Sequence, residues 1–269
     1  MSCLFLVQKF RVSPLFYAVL RRLPYNGVMA ILLVSDLHLD ASRPAVTSLF
    51  IDFLRGRARD ADALYILGDL FEMWVGDDEH SELNDTVAAA LLELSSVTPI
   101  YYMHGNRDFL LGDAYATQSG MTLLPDPYVA DFYGVPTLLS HGDAYCLDDV
   151  AYQAFRSQVR DLEWQKQFLS QPLEARLAFA AQARAASAAH QSGLANMETI
   201  TDVTPSAIDE LMTSFGVSRL IHGHTHRPFV HTDRGYERIV LGDWYEQGSV
   251  LEIVPNGEFT LESLPVLPK

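Results

Sequence analysis

The sequence has few cysteines and no pair of them that suggests a covalent cross-link. Of its 269 residues only Cys3 and Cys146 are cysteine. Two cysteines do not make a disulfide framework, and neither lies in a spacing typical of zinc sites. A chain of this length can bury enough surface to be stable without cross-links. We therefore predict a reducing, cytosolic setting.

Long hydrophobic runs are also missing. No stretch reaches the ~18 consecutive apolar residues of a membrane-spanning helix. Residues 1–28 carry four basic residues and no acidic one, with short apolar runs between them. They lack the long apolar core and small-residue cleavage site of a secretory signal. We expect an N-terminal extension ahead of a domain that starts at Met29; the alternative is a basic amphipathic segment on a membrane surface.

Basic residues are outnumbered by acidic ones. The chain has 19 Lys and Arg against 34 Asp and Glu, which gives a formal net charge of −15. Proteins that bind free nucleic acid more often carry a basic surface, so that class is disfavoured. An acidic protein can still bind phosphate where divalent metal ions supply local positive charge. The composition is otherwise ordinary for a globular protein, with 49% hydrophobic and 20% charged residues.

From Met29 onward, short apolar runs alternate with helical patterns, which predicts an α/β fold. Five runs are typical of buried strands that end in Gly, Asp or His: residues 30–35, 63–67, 100–103, 137–139 and 219–221. Apolar residues at three-to-four spacing predict helices over residues 46–57 and 86–94. Residues 249–261 predict a hairpin around an Asn-Gly turn.

Polar residues follow the predicted strands at regular intervals. The intervals from Asp36 to Asp69, Asn106 and His141 are 33, 37 and 35 residues, each about one β-α-β unit. Such spacing places the side chains at the same end of successive strands, where open α/β sheets bind ligands. The next interval, from His141 to His224, is 83 residues. Its helical middle, about residues 150–200, predicts an insertion that could cap the site.

Five short motifs stand at these strand ends. They are Asp-x-His at Asp36, Gly-Asp at Asp69, Gly-Asn-x-Asp at Asn106, His-Gly at His141 and Gly-His-x-His at His224. Each motif alone is weak, because such short patterns are common by chance. Together, in this order, they resemble the calcineurin-like metallophosphoesterase superfamily. That resemblance implies a layered β-sheet sandwich flanked by helices, with a helical lid insertion.

The residue types suit a two-metal centre. Two divalent ions about 3.5–4 Å apart can clamp a phosphoryl group and generate hydroxide. Mixed His, Asp and Asn ligands favour borderline metals such as Mn²⁺, Fe²⁺ or Zn²⁺. By resemblance, one ion takes Asp36, His38, Asp69 and His226, and the other takes Asp69, Asn106, His141 and His224. Two nearby carboxylates could orient ligand histidines or serve only in turns, and the sequence leaves both roles open: Asp108 and Asp143.

Longer stretches narrow the resemblance. Residues 63–72, 104–112, 148–156 and 221–228 are similar to the UDP-2,3-diacylglucosamine diphosphatase family of lipid A synthesis. The resemblance implies hydrolysis of UDP-2,3-diacylglucosamine to 2,3-diacylglucosamine 1-phosphate (lipid X) and UMP, with water attacking the α phosphorus. It also implies two Mn²⁺ ions per subunit and a peripheral place on the cytoplasmic side of the inner membrane.

The same resemblance gives roles to single residues. It implies catalytic roles for Asp69, Asn106, Arg107 and His141. It implies substrate contacts for Asn106, Arg107, Asp149, Ser187, Gln191 and His224. Gln191 stands where the family usually has Asn, and the Lys that usually follows is absent here. Asp243 also departs from the family pattern, and the sequence gives it no role.

Two features of the sequence bear on which substrate the protein would cleave: the insertion and Arg107. Four insertion residues at near-helical spacing predict either an acyl-binding surface or the insertion's own core: Trp164, Phe168, Leu173 and Leu177.

Many superfamily members have a His at the Arg107 position as a general acid, whereas Arg cannot release a proton near neutral pH. A diphosphate expels a phosphate monoester, with a last pKa of about 6, so no general acid is needed. Alternatives are an enzyme for another nucleoside diphosphate or a dinucleoside polyphosphate, and a non-catalytic scaffold.

Overall fold

The computed structural model of the protein describes residues 30–193 and 200–265, with only the backbone of residues 188–193. The predicted N-terminal extension, residues 1–28, lies outside the described residues. Within the described part of the chain, no helix combines the length and apolar character needed to cross a membrane.

The first of two sheets has six strands. In spatial order they are β11 (Phe259–Pro265), β10 (Gln247–Ile253), β1 (Ile31–Val34), β2 (Ala63–Leu67), β3 (Ile100–Met103) and β4 (Met121–Leu124). Strands β1 to β4 run parallel, while β10 and β11 form an antiparallel hairpin at one side. The carboxyl ends of β1, β2 and β3 therefore meet at one edge.

The second sheet has five strands. In spatial order they are β5 (Tyr128–Phe132), β6 (Val135–Ser140), β7 (Arg219–His222), β9 (Glu237–Val240) and β8 (Phe229–His231). Strands β6, β7 and β9 are parallel, and the outer strands β5 and β8 are antiparallel to their neighbours.

Helices cover the outer faces of the two sheets. The helices α1 (Pro44–Arg55), α2 (Glu82–Ser95) and α3 (Asp113–Ser119) lie on the side of the first sheet. Three helices form the insertion: α4 (Val150–Val159), α5 (Leu162–Leu169) and α6 (Leu173–Gly193). The helix α7 (Pro205–Phe215) packs on the second sheet through Ile208 and Met212.

Side chains that point alternately to the two faces of each strand produce this layering. In β1, Leu32 and Val34 pack toward the helices of the first sheet, whereas Ile31 and Leu33 pack between the two sheets. Successive side chains of a strand point to opposite faces, so a strand buried on both faces is apolar throughout. The order helix, sheet, sheet, helix confirms the predicted sandwich flanked by helices.

Most predicted elements are present, but one topological expectation is wrong. The interval from Asn106 to His141 is not a β-α-β unit of one sheet, because the chain leaves the first sheet after β4 and enters the second through the β5–β6 hairpin. His141 therefore follows a strand of the second sheet. Strands β4, β5 and β8 were not predicted: β4 and β5 are separated only by residues 125–127, and β8 has three residues.

Candidate metal centre and groove

The seven predicted metal ligands lie together at the carboxyl edges of the two sheets. Asp36 and His38 follow β1, Asp69 follows β2, and Asn106 follows β3. From the second sheet, one ligand follows β6 and two follow β7: His141, His224 and His226. The two sheets thus supply one site from both sides.

Four of the ligands form one group. His226 Nε2 lies 3.3 Å from Asp36 Oδ1. His38 Nε2 lies 3.2 Å from His226 Nε2 and 3.7 Å from Asp69 Oδ2. These inward nitrogen and oxygen atoms surround one small volume, as the ligands of a single ion do.

The remaining ligands form a second group that shares Asp69. Asn106 Oδ1 lies 2.9 Å from His141 Nε2 and 2.8 Å from His224 Nδ1. His141 Nε2 is 3.8 Å from Asp69 Oδ2, the same oxygen that faces His38. A carboxylate between two groups of ligands is arranged as a bridging ligand would be.

Five of the seven ligands have a left-handed backbone. The φ angles are 54° at Asp36, 49° at His38, 52° at Asp69, 69° at His224 and 55° at His226. Among the non-glycine residues that the structure describes, Tyr133 is the one other case. This conformation is unfavourable for side chains with a Cβ, and it concentrates at sites where function constrains the chain.

Tight turns bring the backbone close to the ligands. A Cβ on Gly105 would lie 2.0 Å from Asp69 Oδ1 and 2.3 Å from its backbone nitrogen, so only glycine fits there. Asp108 accepts hydrogen bonds from the backbone N–H groups of Gly105, Asp69 and Leu70. Asp108 therefore has the turn role, one of the two that the sequence left open.

Charges in the centre compensate one another in a way that suits a cation. Burial lowers the pKa of His226, but Asp36 and Asp243 outweigh it and raise the pKa to about 10. Burial also opposes protonation of His141, yet Asp69 and Asp36 raise its pKa to about 9. Protons on these histidines balance buried carboxylates, and divalent ions can replace them. Together with the donor set and the constrained backbone, this shows that the residues fit a metal centre.

The outer nitrogens of three histidines have identifiable partners. His38 Nδ1 lies 3.3 Å from Glu72 Oε2, and His226 Nδ1 lies 3.5 Å from Asp243 Oδ2. His141 Nδ1 lies 2.9 Å from the carbonyl oxygen of Leu67. The sequence missed Glu72, although it stands three residues after Asp69 in a stretch with family resemblance.

The Asp143 carboxylate accepts hydrogen bonds from side chains of the insertion and not from a histidine. Its Oδ2 accepts hydrogen bonds from Tyr152 Oη and Arg156 Nε, at 2.5 and 2.8 Å. Burial raises the pKa of Asp143, but nearby His141 and Arg156 outweigh that effect and hold it well below its usual range. Asp143 thus fastens α4 beside the metal ligands and acts on His141 only through its charge.

A groove of about 930 Å³ opens over the centre. Its floor includes ligands of both groups, and its walls include Arg107, Asp149 and Ser187. Arg107 donates its backbone N–H to Asp69 Oδ1 at 2.8 Å, which holds it beside the shared carboxylate. Asp149 caps α4 by accepting from the Tyr152 N–H at 2.9 Å, and Ser187 lies on α6. The side chain of Gln191 lies outside the described residues.

One end of the groove is apolar. Trp164 and Phe168 stack with ring centroids 4.9 Å apart, and Phe179 lies 5.3 Å from Phe168. These three rings line the groove together with Phe109 and Leu110. Trp164 and Phe168 also pack against the main core, as do Leu173 and Leu177, which do not line the groove. The face predicted in the insertion is therefore partly core and partly groove wall.

Comparisons with known proteins agree with this geometry. The sequence model described as calcineurin-like phosphoesterase matches residues 29–228. A UDP-2,3-diacylglucosamine hydrolase of Xanthomonas campestris pv. campestris is 57% identical over 88% of this chain and 99% of its own length. The enzyme of the same name from Stenotrophomonas maltophilia is 56% identical over the same shares.

Among solved structures, a novel archaeal phosphodiesterase matches 88% of this chain and 100% of its own, with a TM-score of 0.46 and 12% identity. That structural likeness is too distant to bear on function. The family match covers most of the chain, and the relatives align over nearly their whole length. The chain belongs to the calcineurin-like phosphoesterase family.

Proposed function

We propose that this protein is a metal-dependent hydrolase that cleaves the diphosphate of UDP-2,3-diacylglucosamine. The products would be 2,3-diacylglucosamine 1-phosphate and UMP. The observation that carries the proposal is one groove that joins the candidate metal centre, five of whose seven ligands line it, to an apolar, aromatic end. A substrate with a diphosphate and two acyl chains matches both parts, and relatives 57% identical bear the name of this activity.

We assign two ions, as Mn²⁺, to the two groups of ligands. The groups are Asp36, His38, Asp69 and His226, and Asp69, Asn106, His141 and His224. Such ions supply Lewis acidity toward phosphate oxygens and lower the pKa of water. The chain itself orients the ligands before substrate binds: left-handed backbones set the direction of five of the seven, and the turn at Gly105 packs directly against Asp69.

We assign to Arg107 the role of binding the diphosphate. Its backbone is fixed at both sides, since its N–H donates to Asp69 and its carbonyl accepts from the Trp74 N–H at 3.1 Å. The guanidinium lines the groove, where it can clamp phosphate oxygens and offset charge that develops during transfer. It cannot protonate a leaving group. This favours a phosphate monoester as leaving group over an alkoxide.

The insertion is assigned the role of an acyl-binding lid. Trp164, Phe168 and Phe179 present aromatic surface to the groove, and Ser187, one of the predicted substrate contacts, lies farther along α6. Large apolar side chains are also exposed on or beside the insertion: Leu147, Val150, Leu162, Leu169 and Phe179. Such residues favour peripheral contact with a lipid surface. Sedimentation with vesicles of inner-membrane composition tests that contact.

A panel of substrates tests the proposal. Purified protein with Mn²⁺ is given UDP-2,3-diacylglucosamine, a soluble UDP-sugar, a dinucleoside polyphosphate and an alkyl phosphodiester. We expect the acylated diphosphate to have the highest kcat/KM by a wide margin and the phosphodiester the lowest. Preference for the dinucleoside polyphosphate would favour the second candidate function, and comparable rates on the phosphodiester would refute the leaving-group argument for Arg107.

A further inference from the structure

In the part of the chain that the structure describes, carboxylates lie behind the histidines of one ligand group and not of the other. Glu72 Oε2 is 3.3 Å from His38 Nδ1, and Asp243 Oδ2 is 3.5 Å from His226 Nδ1. The Nε2 atoms of both histidines point the other way, toward Asp36 and each other. His38 Nδ1 forms no hydrogen bond to Glu72, so the carboxylate acts on it through its charge. A carboxylate at such a distance favours the proton on Nδ1, which leaves the Nε2 lone pair directed at the metal position.

The histidines of the second ligand group have different neighbours from those of the first group. His141 Nδ1 faces a backbone carbonyl, that of Leu67, and His224 directs Nδ1 inward to Asn106. Among residues 30–193 and 200–265, no carboxylate oxygen forms an ion pair with the outer nitrogen of His141 or His224. This group also contains one carboxylate, Asp69, where the first group contains two.

The segment that carries Asp243 is fixed to the metal ligands. The backbone N–H of Trp244 donates to the carbonyl oxygen of Asp36 at 3.0 Å. The Trp244 ring is fully buried against Phe50 and Phe53, with centroids 5.8 Å away in each case. On the other side, the Tyr245 ring stacks on His38 at 5.1 Å. Asp243 therefore approaches His226 from a rigid support.

We propose that Glu72 and Asp243 are positioning residues that orient His38 and His226 and strengthen them as donors. The position formed by Asp36, His38, Asp69 and His226 then binds its ion more tightly than the position that contains Asn106. The inference rests on the metal-dependent function proposed above. It also gives a role to Asp243, which the family pattern leaves unexplained.

Of the two carboxylates, Asp243 offers the cleaner test. Glu72 is shared, because its oxygens also lie 3.2 Å from Arg43 Nη2 and 2.7 Å from Arg184 Nη2 of the insertion. A change at Glu72 would disturb the insertion as well as His38. Asp243 pairs with His226 and is 27% exposed, so its removal leaves the core packing intact.

The experiment is a Mn²⁺ titration of metal-free full-length protein, with free Mn²⁺ followed by electron paramagnetic resonance. Wild type should bind two ions with distinct affinities. Asp243→Ala should weaken the tighter class about 10–100-fold, the usual effect of removing such an outer partner, and leave the weaker class within about twofold. Asp243→Asn should lose less, because its amide oxygen keeps a partial negative charge facing Nδ1. The exposed neighbour Glu246 provides the matched control, and Glu246→Ala should change neither class.

Unchanged Mn²⁺ binding in Asp243→Ala, or equal weakening of both classes, would overturn the inference while leaving the proposed function intact. Wild type that binds no Mn²⁺ would overturn both. Thermal unfolding of the metal-free variants provides the stability reference. A purely structural role would lower the unfolding temperature of both Asp243 variants without a selective change in the tighter class.

Discussion

Arg176 anchors the insertion to the two-sheet domain, and its removal should loosen that attachment. Although it is an arginine, its side chain is only 2% exposed. Nη1 donates to the carbonyl oxygen of Val75 at 2.6 Å, and Nε donates to that of Gln171 at 3.0 Å. Both terminal nitrogens also meet the carboxylate of Asp78. One side chain thus joins α6 to the loop after β2.

The two kinds of contact differ in energy. Asp78 is 64% exposed, so its ion pair with Arg176 is screened and contributes about 1 kcal/mol or less. Each buried hydrogen bond from the guanidinium to a carbonyl contributes about 1.5 kcal/mol or more. The bond to Gln171 stays within the insertion, so the bond to Val75 and the ion pair with Asp78 are the contacts of Arg176 that attach α6 to the domain. Arg176→Ala should therefore destabilise the attachment of α6 by about 2.5 kcal/mol. Asp78→Asn, which keeps an acceptor oxygen, should cost about 1 kcal/mol at most.

Hydrogen exchange measures this attachment directly. In Arg176→Ala, amides of α6 should exchange roughly fiftyfold faster, because tenfold corresponds to about 1.4 kcal/mol. Amides of β1, β2 and β3 should keep their protection, since they do not depend on the insertion. Equal effects of Arg176→Ala and Asp78→Asn would refute the assignment of the anchor to the buried carbonyl contacts. So would loss of protection throughout the sheets.

Three further changes probe the site and its surroundings. Gly105→Ala should displace Asp69 and lower the metal content of purified protein, measured by elemental mass spectrometry, because the new Cβ would overlap the Asp69 backbone. Burial raises the pKa of the Cys146 thiol far above its usual range. In a Cys3→Ser background, Cys146 should therefore react with a disulfide reagent at pH 8 only after unfolding, and prompt reaction in native protein would contradict its burial. Phe179 is 38% exposed; Phe179→Ala should barely change stability but lower kcat/KM on the diacylated substrate and not on a soluble UDP-sugar.

The sequence predicts where the candidate ligands lie in the fold, because they stand directly after strands. Asp36, Asp69 and Asn106 each follow a short apolar run by at most three residues, so a correct strand places the ligand at the sheet edge. The metal-ligand motifs are local in the chain. Neither the left-handed backbone of Asp36 nor that of Asp69 is visible in this pattern, because both conformations depend on contacts with the neighbouring strand ends.

Partners that meet only in space could not be predicted. Asp243 lies 17 residues after His226, and Arg184 approaches Glu72 from an insertion more than a hundred residues away. No sequence periodicity links such pairs, so the three-dimensional structure is needed to identify the carboxylates behind the histidines. The expectation that His141 follows a strand of the same sheet as Asn106 was wrong for the same reason, since regular spacing carries no information on which sheet a strand joins.

Hydrolysis in water labelled with ¹⁸O tests the central claim most directly. Protein with Mn²⁺ cleaves UDP-2,3-diacylglucosamine in the labelled water, and mass spectrometry locates the label in the two phosphate products. Attack on the α phosphorus predicts one ¹⁸O atom in UMP and none in 2,3-diacylglucosamine 1-phosphate. Asp69→Ala protein, which lacks the shared carboxylate, should form neither product. Label in the sugar phosphate, or full activity of Asp69→Ala, would contradict the account.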